Sequence, residues 1–391
     1  MRVVHVVTRT NIGGVSSYLD HLIHGLEQQH RLEERHNLER QHGLDGKIDI
    51  TLVRGRPSVD EGDYFAHRPL PVTVVDVASL RRRATPFHDV ITLIRLVGIF
   101  RRIRPDVVHT HMAKAGALGR IAAFIARVPV RVHTFHGHLL QGYFSGTKTR
   151  IIVAVERALR RITSHAVVIG ERVRGDLVDI GITSHERSSM IPPAVPTPNR
   201  VPRETARARL GLPNDAVIVG FIGRLAPIKR PDRVIALARA LPDVHFSIVG
   251  EGELFDSVRD DARGLTNVSF HGWQDDVATV HYAIDVALLT SDNEGMSVSL
   301  IEAAAAGLPV VATNVGAIPE IVHHGVNGLL ADTDDQLIAA VRRLADDSDE
   351  RRRFGIAGAA IASSTFTIAG LARSHGALYA RLLAGKRDYK R

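Results

Sequence analysis

The 391-residue chain contains no cysteine. Disulfides, thiolate metal sites and a cysteine nucleophile are thereby excluded. The chain also lacks any apolar run approaching the length needed to span a bilayer. Its first residues, MRVVHVVTR, alternate like a short strand and not like a signal peptide, so a cytoplasmic location is the expectation. No RNA- or DNA-binding signature is present, and no nucleic-acid partner is expected. What remains is ordinary globular material, 45% hydrophobic and 24% charged. Its length exceeds one ordinary core and implies two domains.

The charge is uneven. Residues 1–200 carry 29 basic and 18 acidic side chains, whereas residues 201–391 carry 21 and 24, within a net charge of +8. A basic front half suits a phosphorylated ligand or an anionic membrane surface. A generally arginine-rich composition explains it equally well.

Short β-like runs alternate with helical segments in both halves. Strands are expected at residues 3–7, 50–53, 72–77, 106–109, 130–134 and 166–169, then at 217–222, 245–249, 268–270, 286–290, 309–313 and 328–330. Near-continuous apolar strands alternating with helices mean parallel sheets covered on both faces. The fold class is therefore α/β, with two doubly wound, Rossmann-like domains facing a cleft. The proline-rich stretch IPPAVPTPNRVP, residues 191–202, separates the halves and cannot continue a helix or a central strand. Domain bounds are set at 1–195 and 203–367, with a linker at 196–202 and a final helix from 368 to 391 crossing back to the first domain. Ligands of such sheets bind at the carboxyl ends of the strands. One segment, residues 26–46, is a six-residue tandem repeat with leucine at 26, 32, 38 and 44. A step of six places successive leucines about a third of a turn apart, so they form no stripe. The repeat reads as a solvated insertion lengthening the first helix.

NIGGVSSYL follows the first strand and opens a helix. Gly13 and Gly14 let backbone amides approach a phosphate, although the same pair suits a plain tight turn. The pattern is not GxGxxG, so a dinucleotide site is not indicated. In the second half FIGRLAPIKRPD places Arg224 at a strand end and Lys229 just before a helix. Together they form a two-cation clamp suited to a diphosphate.

SDNEGMSVSLIEAAAAGLPVVAT carries two carboxylates, Glu294 and Glu302, eight positions apart in small, apolar surroundings. Glu294 precedes a helix start, for which Ser297 is the expected N-cap, and Glu302 lies more than one turn inside that helix. A nucleotide diphosphate sugar matches this layout. Glu302 would accept the ribose hydroxyls, the amides of Met296, Ser297 and Val298 would face the phosphates, and Glu294 would hold the sugar.

These motifs, with VGEGEL, HGWQDDV, HTHMAKAGALGR and VHTFHGH, make nearly the whole chain resemble the family-4 retaining glycosyltransferases of the GT-B fold. The resemblance implies an acceptor-binding first domain and a nucleotide-sugar-binding second domain. It implies catalytic roles for His136, Arg224, Lys229 and Glu294. Donor contacts would come from Gly13, Gly14, Gly223, Gly250, Glu251, Trp273, Gly295, Met296, Ser297, Val298 and Glu302. It further implies transfer of a hexosyl unit from a UDP- or GDP-sugar to a hydroxyl, with retained configuration and no metal or other cofactor. Polysaccharide or lipid-linked glycan assembly is the expected setting. Departures occur at Arg230 and Ser297, where the family often has glycine, and they leave the sugar open. Alternatives are a small soluble acceptor, an epimerase on the same fold, or a silent nucleotide-binding module.

His109 and His111 form an HxH at a strand end, with His133, His136 and His138 nearby. A zinc hydrolase would need further ligands at later strand ends, and none is evident. His109 is expected in the core, and His111 with Lys114 on the acceptor side. Apolar and arginine-rich faces in LIRLVGIFRRIRP and IIVAVERALRRI suit peripheral contact with an anionic membrane.

Overall fold

The computed structural model describes residues 1–36, 48–57, 62–66, 68–83, 85–137 and 146–388. The chain divides into two units, Met1–Ala194 with Ile368–Arg391, and Val195–Thr367.

The first unit holds strands β1 (Arg2–Val7), β2 (Asp49–Arg54), β3 (Thr73–Asp76), β4 (Val107–His111), β5 (Val130–Phe135), β6 (His165–Val168) and β7 (Ser188–Met190). They pair in the order β3-β2-β1-β4-β5-β6-β7, every pair parallel. Helices α1 (Gly14–His36), α2 (Pro86–Ile103), α3 (Ala113–Ile125), α4 (Gly146–Leu159) and α5 (Glu171–Asp179) connect them. The apolar residues of β1 show why it is central: Val3, Val4, Val6 and Val7 are all fully buried.

The second unit holds β8 (Ile218–Ile222), β9 (His245–Val249), β10 (Val268–Phe270), β11 (Val286–Leu289), β12 (Val310–Thr313) and β13 (Gly328–Ala331). Their order is β10-β9-β8-β11-β12-β13, again all parallel. Its helices are α6 (Arg203–Leu210), α7 (Pro231–Ala240), α8 (Phe255–Asp261), α9 (Val277–Ala283), α10 (Val298–Ala305), α11 (Asp334–Asp346) and α12 (Ser348–Thr365). Three of them start on side-chain caps. Asp276 accepts from Thr279 N at 3.1 Å, Thr333 from Gln336 N at 3.2 Å and Asp347 from Glu350 N at 2.8 Å.

The last helix, α13 (Ile368–Asp388), belongs to the first unit and packs along α1. Gly25 makes that approach feasible, because a Cβ there would stand 2.9 Å from Ile368 Cγ2 and 3.0 Å from Ala372 Cβ. Where the chain enters and leaves the second unit, Val195 N donates to Phe366 O at 3.0 Å.

Each unit has a buried arginine brace. Arg120 grips both oxygens of Glu156 at 2.8 Å. Arg207 reaches Asp285 at 2.7 Å, and the same carboxylate oxygen accepts from Ile218 N at 2.8 Å.

All of the expected strands form, and the topology is that of two doubly wound parallel sheets. The additional edge strand β7 reads SSM, too short and polar to announce itself. Helix α1 carries the repeat from Leu26 as far as His36, and its remainder, like His138, lies outside the described residues. Among the described residues no helix is long and apolar enough to cross a membrane.

Candidate active site

In a doubly wound sheet the crevice opens where strand order reverses, here between β1 and β4 and between β8 and β11. Gly13, His111, Arg224 and Glu294 end or follow these four strands, whereas His136, Gly250 and Trp273 follow β5, β9 and β10.

In the second unit, glycines bring three strand ends together. A Cβ at Gly250, where φ is +127°, would lie 2.1 Å from Gly223 O, and one at Gly252 would lie 2.4 Å from Leu225 O. Gly223 N donates to Val249 O at 3.0 Å, Leu225 N to Glu251 O at 2.9 Å and Gly250 N to Gly272 O at 2.7 Å. Only side-chain-free backbone can knit β8, β9 and β10 this closely. Glu251 is exposed beside them. Trp273 is 47% exposed, its indole N–H donating to Asp275 at 2.9 Å.

Lys229 ends a short turn, Pro227–Lys229, that leads into α7. Its carbonyl accepts from Thr290 Oγ1 at 2.8 Å, and Ile228 O accepts from Asp292 N at 2.9 Å, which ties this loop to the one after β11. Arg230 adopts a left-handed φ of +49° and is clamped by Asp232 at 2.7 Å and Asp292 at 3.2 Å. Those carboxylates fix an otherwise disfavoured backbone where the resembling family often has glycine. The Lys229 ammonium binds Glu294, whose carboxylate also accepts from Ser291 Oγ at 2.8 Å. Glu294 O accepts from Ala317 N at 3.2 Å, and Gly316, with φ +52°, passes so close that a Cβ would lie 1.8 Å from that oxygen.

The two cations of the expected clamp differ in their surroundings. Lys229 is engaged by Glu294, while Arg224 is largely exposed and lies 3.6 Å from Glu253. The expected cap is also corrected. Ser297 occupies the N-cap position of α10 but makes no capping bond, its hydroxyl pairing instead with Ser299 Oγ at 3.0 Å. Met296 and Ser297 are buried, Gly295 and Val298 half-buried. Glu302 is partly buried on α10, the fifth residue of that helix. The first amides of α10 have no partner within the helix and stand beside Glu294 in the chain.

In the first unit β1, β4 and the residue after β5 bring imidazoles together. His5 Nδ1 lies 3.1 Å from His111 Nε2, and His111 Nδ1 lies 3.0 Å from His136 Nε2. His109 contacts Tyr379 OH and Thr134 Oγ1, each at 2.6 Å. Tyr18 OH meets His375 Nε2 at 3.0 Å, and Thr110 Oγ1 meets His133 Nδ1 at 2.9 Å. Burial, reinforced by neighbouring histidines, pushes His5, His109, His111 and His136 down, His5 and His136 to about 3. These rings are neutral near pH 7.

His109 is a core residue, and His111 is buried as well, not lining an open surface. Lys114 is engaged by Asp89 at 2.5 Å and by Arg83 O at 2.6 Å. Gly13 and Gly14 are exposed at the start of α1, where Ser16 N and Ser17 N close on Gly13 O at 3.1 and 3.2 Å. His5, His109 and His111 each bring a ring nitrogen within 4.8 Å of the others, as a metal site would. Yet both nitrogens of His109 and of His111 already face hydrogen-bond partners, His109 with Tyr379 and Thr134 and His111 with His5 and His136. Sequence reasoning missed His5, Tyr18, His375 and Tyr379. The one available signal was the spacing of His375 and Tyr379, one turn apart on α13.

Comparison with known proteins matches residues 13–194 to the glycosyl transferase 4-like domain and residues 202–360 to glycosyl transferases group 1. Together these cover most of the chain. An Escherichia coli UDP-Gal:alpha-D-GlcNAc-diphosphoundecaprenol alpha-1,3-galactosyltransferase is 29% identical over 291 residues, 69% of this chain and 74% of that one. A D-inositol 3-phosphate glycosyltransferase of Mycolicibacterium gilvum is 32% identical over 250 residues, 58% of this chain and 54% of that one. Among solved structures, Anabaena HepE in complex with UDP-glucose superposes with a TM-score of 0.77 at 22% identity, covering 98% of this chain and 100% of that one. Sucrose-phosphate synthase from Thermosynechococcus elongatus gives a TM-score of 0.79 at 20% identity, with coverage of 98% and 100%.

Proposed function

Because this chain belongs to the family-4 glycosyltransferases of the GT-B fold, which act with nucleotide-sugar donors, we propose that it transfers a hexosyl unit from a UDP-sugar, with retention, to a lipid-linked acceptor. The observation that carries the donor reading is the Lys229–Glu294 pair at the β8 and β11 ends, set immediately before α10. An arriving diphosphate competes with Glu294 for the ammonium and gains the free amides at the α10 start. Glu302 then accepts the ribose hydroxyls, and Glu294, released from Lys229, accepts hydroxyls of the sugar. Arg224, exposed at the end of β8, adds a second positive charge.

The acceptor oxygen attacks the anomeric carbon as the bond from that carbon to the phosphate oxygen breaks. The acceptor's proton passes to the departing phosphate, giving a nucleoside diphosphate and a glycoside. Lys229 neutralises the charge that develops on the leaving group, the step at which fixed charges act most strongly. His136 is the residue assigned to the transferred sugar. No metal is required by this scheme.

UDP is favoured because the E. coli relative is named for UDP-Gal and HepE was solved with UDP-glucose. The lipid-linked acceptor follows from the same relative's diphosphoundecaprenol substrate and from the surface of the first unit. Phe87, Val90 and Ile94 are 75%, 57% and 66% exposed, and their spacing places them on one stripe of α2. Exposed Arg81, Arg82, Arg83, Arg95, Arg101 and Arg102 accompany them. Apolar side chains among arginines suit the headgroup region of an anionic bilayer.

The test is binding and slow hydrolysis of UDP-, GDP-, ADP- and dTDP-hexoses without added metal, by wild type, Glu302→Ala and Lys229→Ala. One UDP-hexose bound and turned over, with both variants impaired, is the expected result. Absence of binding to every sugar nucleotide, or variants equal to wild type, overturns the donor assignment. Co-sedimentation with anionic but not neutral vesicles, lost in Phe87→Asp, tests the membrane contact separately.

A further inference from the structure

The histidines behind His136 are not interchangeable filling, because proton bookkeeping links them. His136 Nε2, His111 and His5 Nδ1 form a chain with two nitrogen-to-nitrogen contacts of 3.0 and 3.1 Å. Each such contact holds one proton, and each neutral ring carries one. Three rings therefore supply two shared protons and one left over at an end. That proton sits either on His136 Nδ1 or on His5 Nε2.

The ends differ. His5 is fully buried, and its Nε2 has no hydrogen-bond partner among the described residues. His136 is partly exposed, so its Nδ1 can be solvated or meet a ligand. A free imidazole mildly favours the Nε2 proton, and each ring of the chain carries that bias. A buried N–H with no acceptor is the less tolerable state, since an orphaned donor forfeits its hydration outright.

We propose that His111 and His5 are positioning residues that lock His136 as its Nδ1–H tautomer, so that it meets the donor sugar as a hydrogen-bond donor. His136 so held donates to a sugar oxygen and cannot take the acceptor's proton, which leaves that proton to the departing phosphate. The C-terminal helix takes part indirectly. Tyr379 holds His109, whose ring stands 4.4 Å from that of His111, and Tyr18, bonded to His375, lies edge-on to His136 at 4.8 Å.

The inference rests on the reading of His136 as a sugar contact, but its test does not. Nitrogen-15 spectra of the full chain labelled at histidine distinguish protonated from bare ring nitrogens, and His136→Gln assigns the His136 signals by their loss. The expected result near pH 7.5 is a protonated Nδ1 and a bare Nε2. A protonated Nε2 overturns the proposal with no variant needed. In His111→Asn the link to His5 is cut, and His136 is expected to become a tautomer mixture, with kcat falling about 10- to 100-fold while the donor KM changes little. An unchanged His136 spectrum in that variant also overturns it. If the tautomer is as expected but adding UDP-hexose leaves the Nδ1 signal unmoved, the chain stands and the sugar-contact role fails.

Discussion

The two units share one architecture and furnish it with opposite side chains. Each is a parallel doubly wound sheet with a reversal of strand order, at β1/β4 and at β8/β11. At the first reversal the strands hold buried, neutral imidazoles. At the second they hold an ammonium–carboxylate pair, clamped arginine–aspartate loops and close glycine backbone. Neutral rings can orient a partner but do little to balance a dianion, whereas the second site is already ionic. The difference teaches that the fold supplies a place, and the side chains at the strand ends decide what is done there.

The comparison breaks most visibly in acid. His5, His109, His111, His133 and His375 are fully buried or nearly so, and burial lowers the pKa of each below the ordinary 6.5. The unfolded chain binds protons that the folded one refuses, so stability is intact above about 6.5 and falls as pH drops below it. The loss is about 1.4 kcal/mol per pH unit for each such histidine. The second unit has one comparably buried histidine, His281, lowered to about 4. Urea unfolding at pH 7.5 and 5.5 is expected to show the first unit losing several kcal/mol and unfolding ahead of the second. Equal acid sensitivity of the two units would remove the distinction.

The buried braces sharpen it next. Glu156→Gln in the first unit and Asp285→Asn in the second are each expected to destabilise by about 3–5 kcal/mol, since each leaves a buried arginine uncompensated. Asp285→Asn should be the worse of the two, because Asp285 also accepts from Ile218 N and pairs with Arg203. Thermal unfolding of both variants checks the order.

Lys229→Ala is expected to lower kcat about 10²- to 10³-fold, equivalent to about 3–4 kcal/mol, while the fold survives. His136→Gln, which removes a neutral donor, should lose about tenfold less than that, and steady-state kinetics with a UDP-hexose compare them. The smallest effect belongs to Ser297→Ala. Its hydroxyl does not cap α10, so the change in stability should stay within about 0.5 kcal/mol, where a true cap would cost about 1.

Much of this was legible in the chain. Buried parallel strands announce themselves as short apolar runs, and glycines at strand ends mark where backbone must approach backbone. The strand β7 was not legible, because Ser188–Met190 has neither an apolar run nor alternation. The behaviour of Ser297 was not legible either, since a serine before a helix predicts a cap only if no nearer partner competes, and Ser299 does. Lys229 and Arg224 look alike in sequence as two cations near a strand end. Their different surroundings come from Glu294, contributed 65 positions after Lys229.

The sequence by itself determined the local conformations, the two-sheet class and the loops at the strand ends. These depend on residues a few positions apart, whose periodicity and turn chemistry the chain states directly. The tertiary structure alone decided the partnerships: His5 with His111 across 106 residues, and His109 with Tyr379 across 270. Such pairs depend on which strand lies beside which and on which helix returns to cover them. That order is fixed by packing the whole core, and no local pattern encodes it.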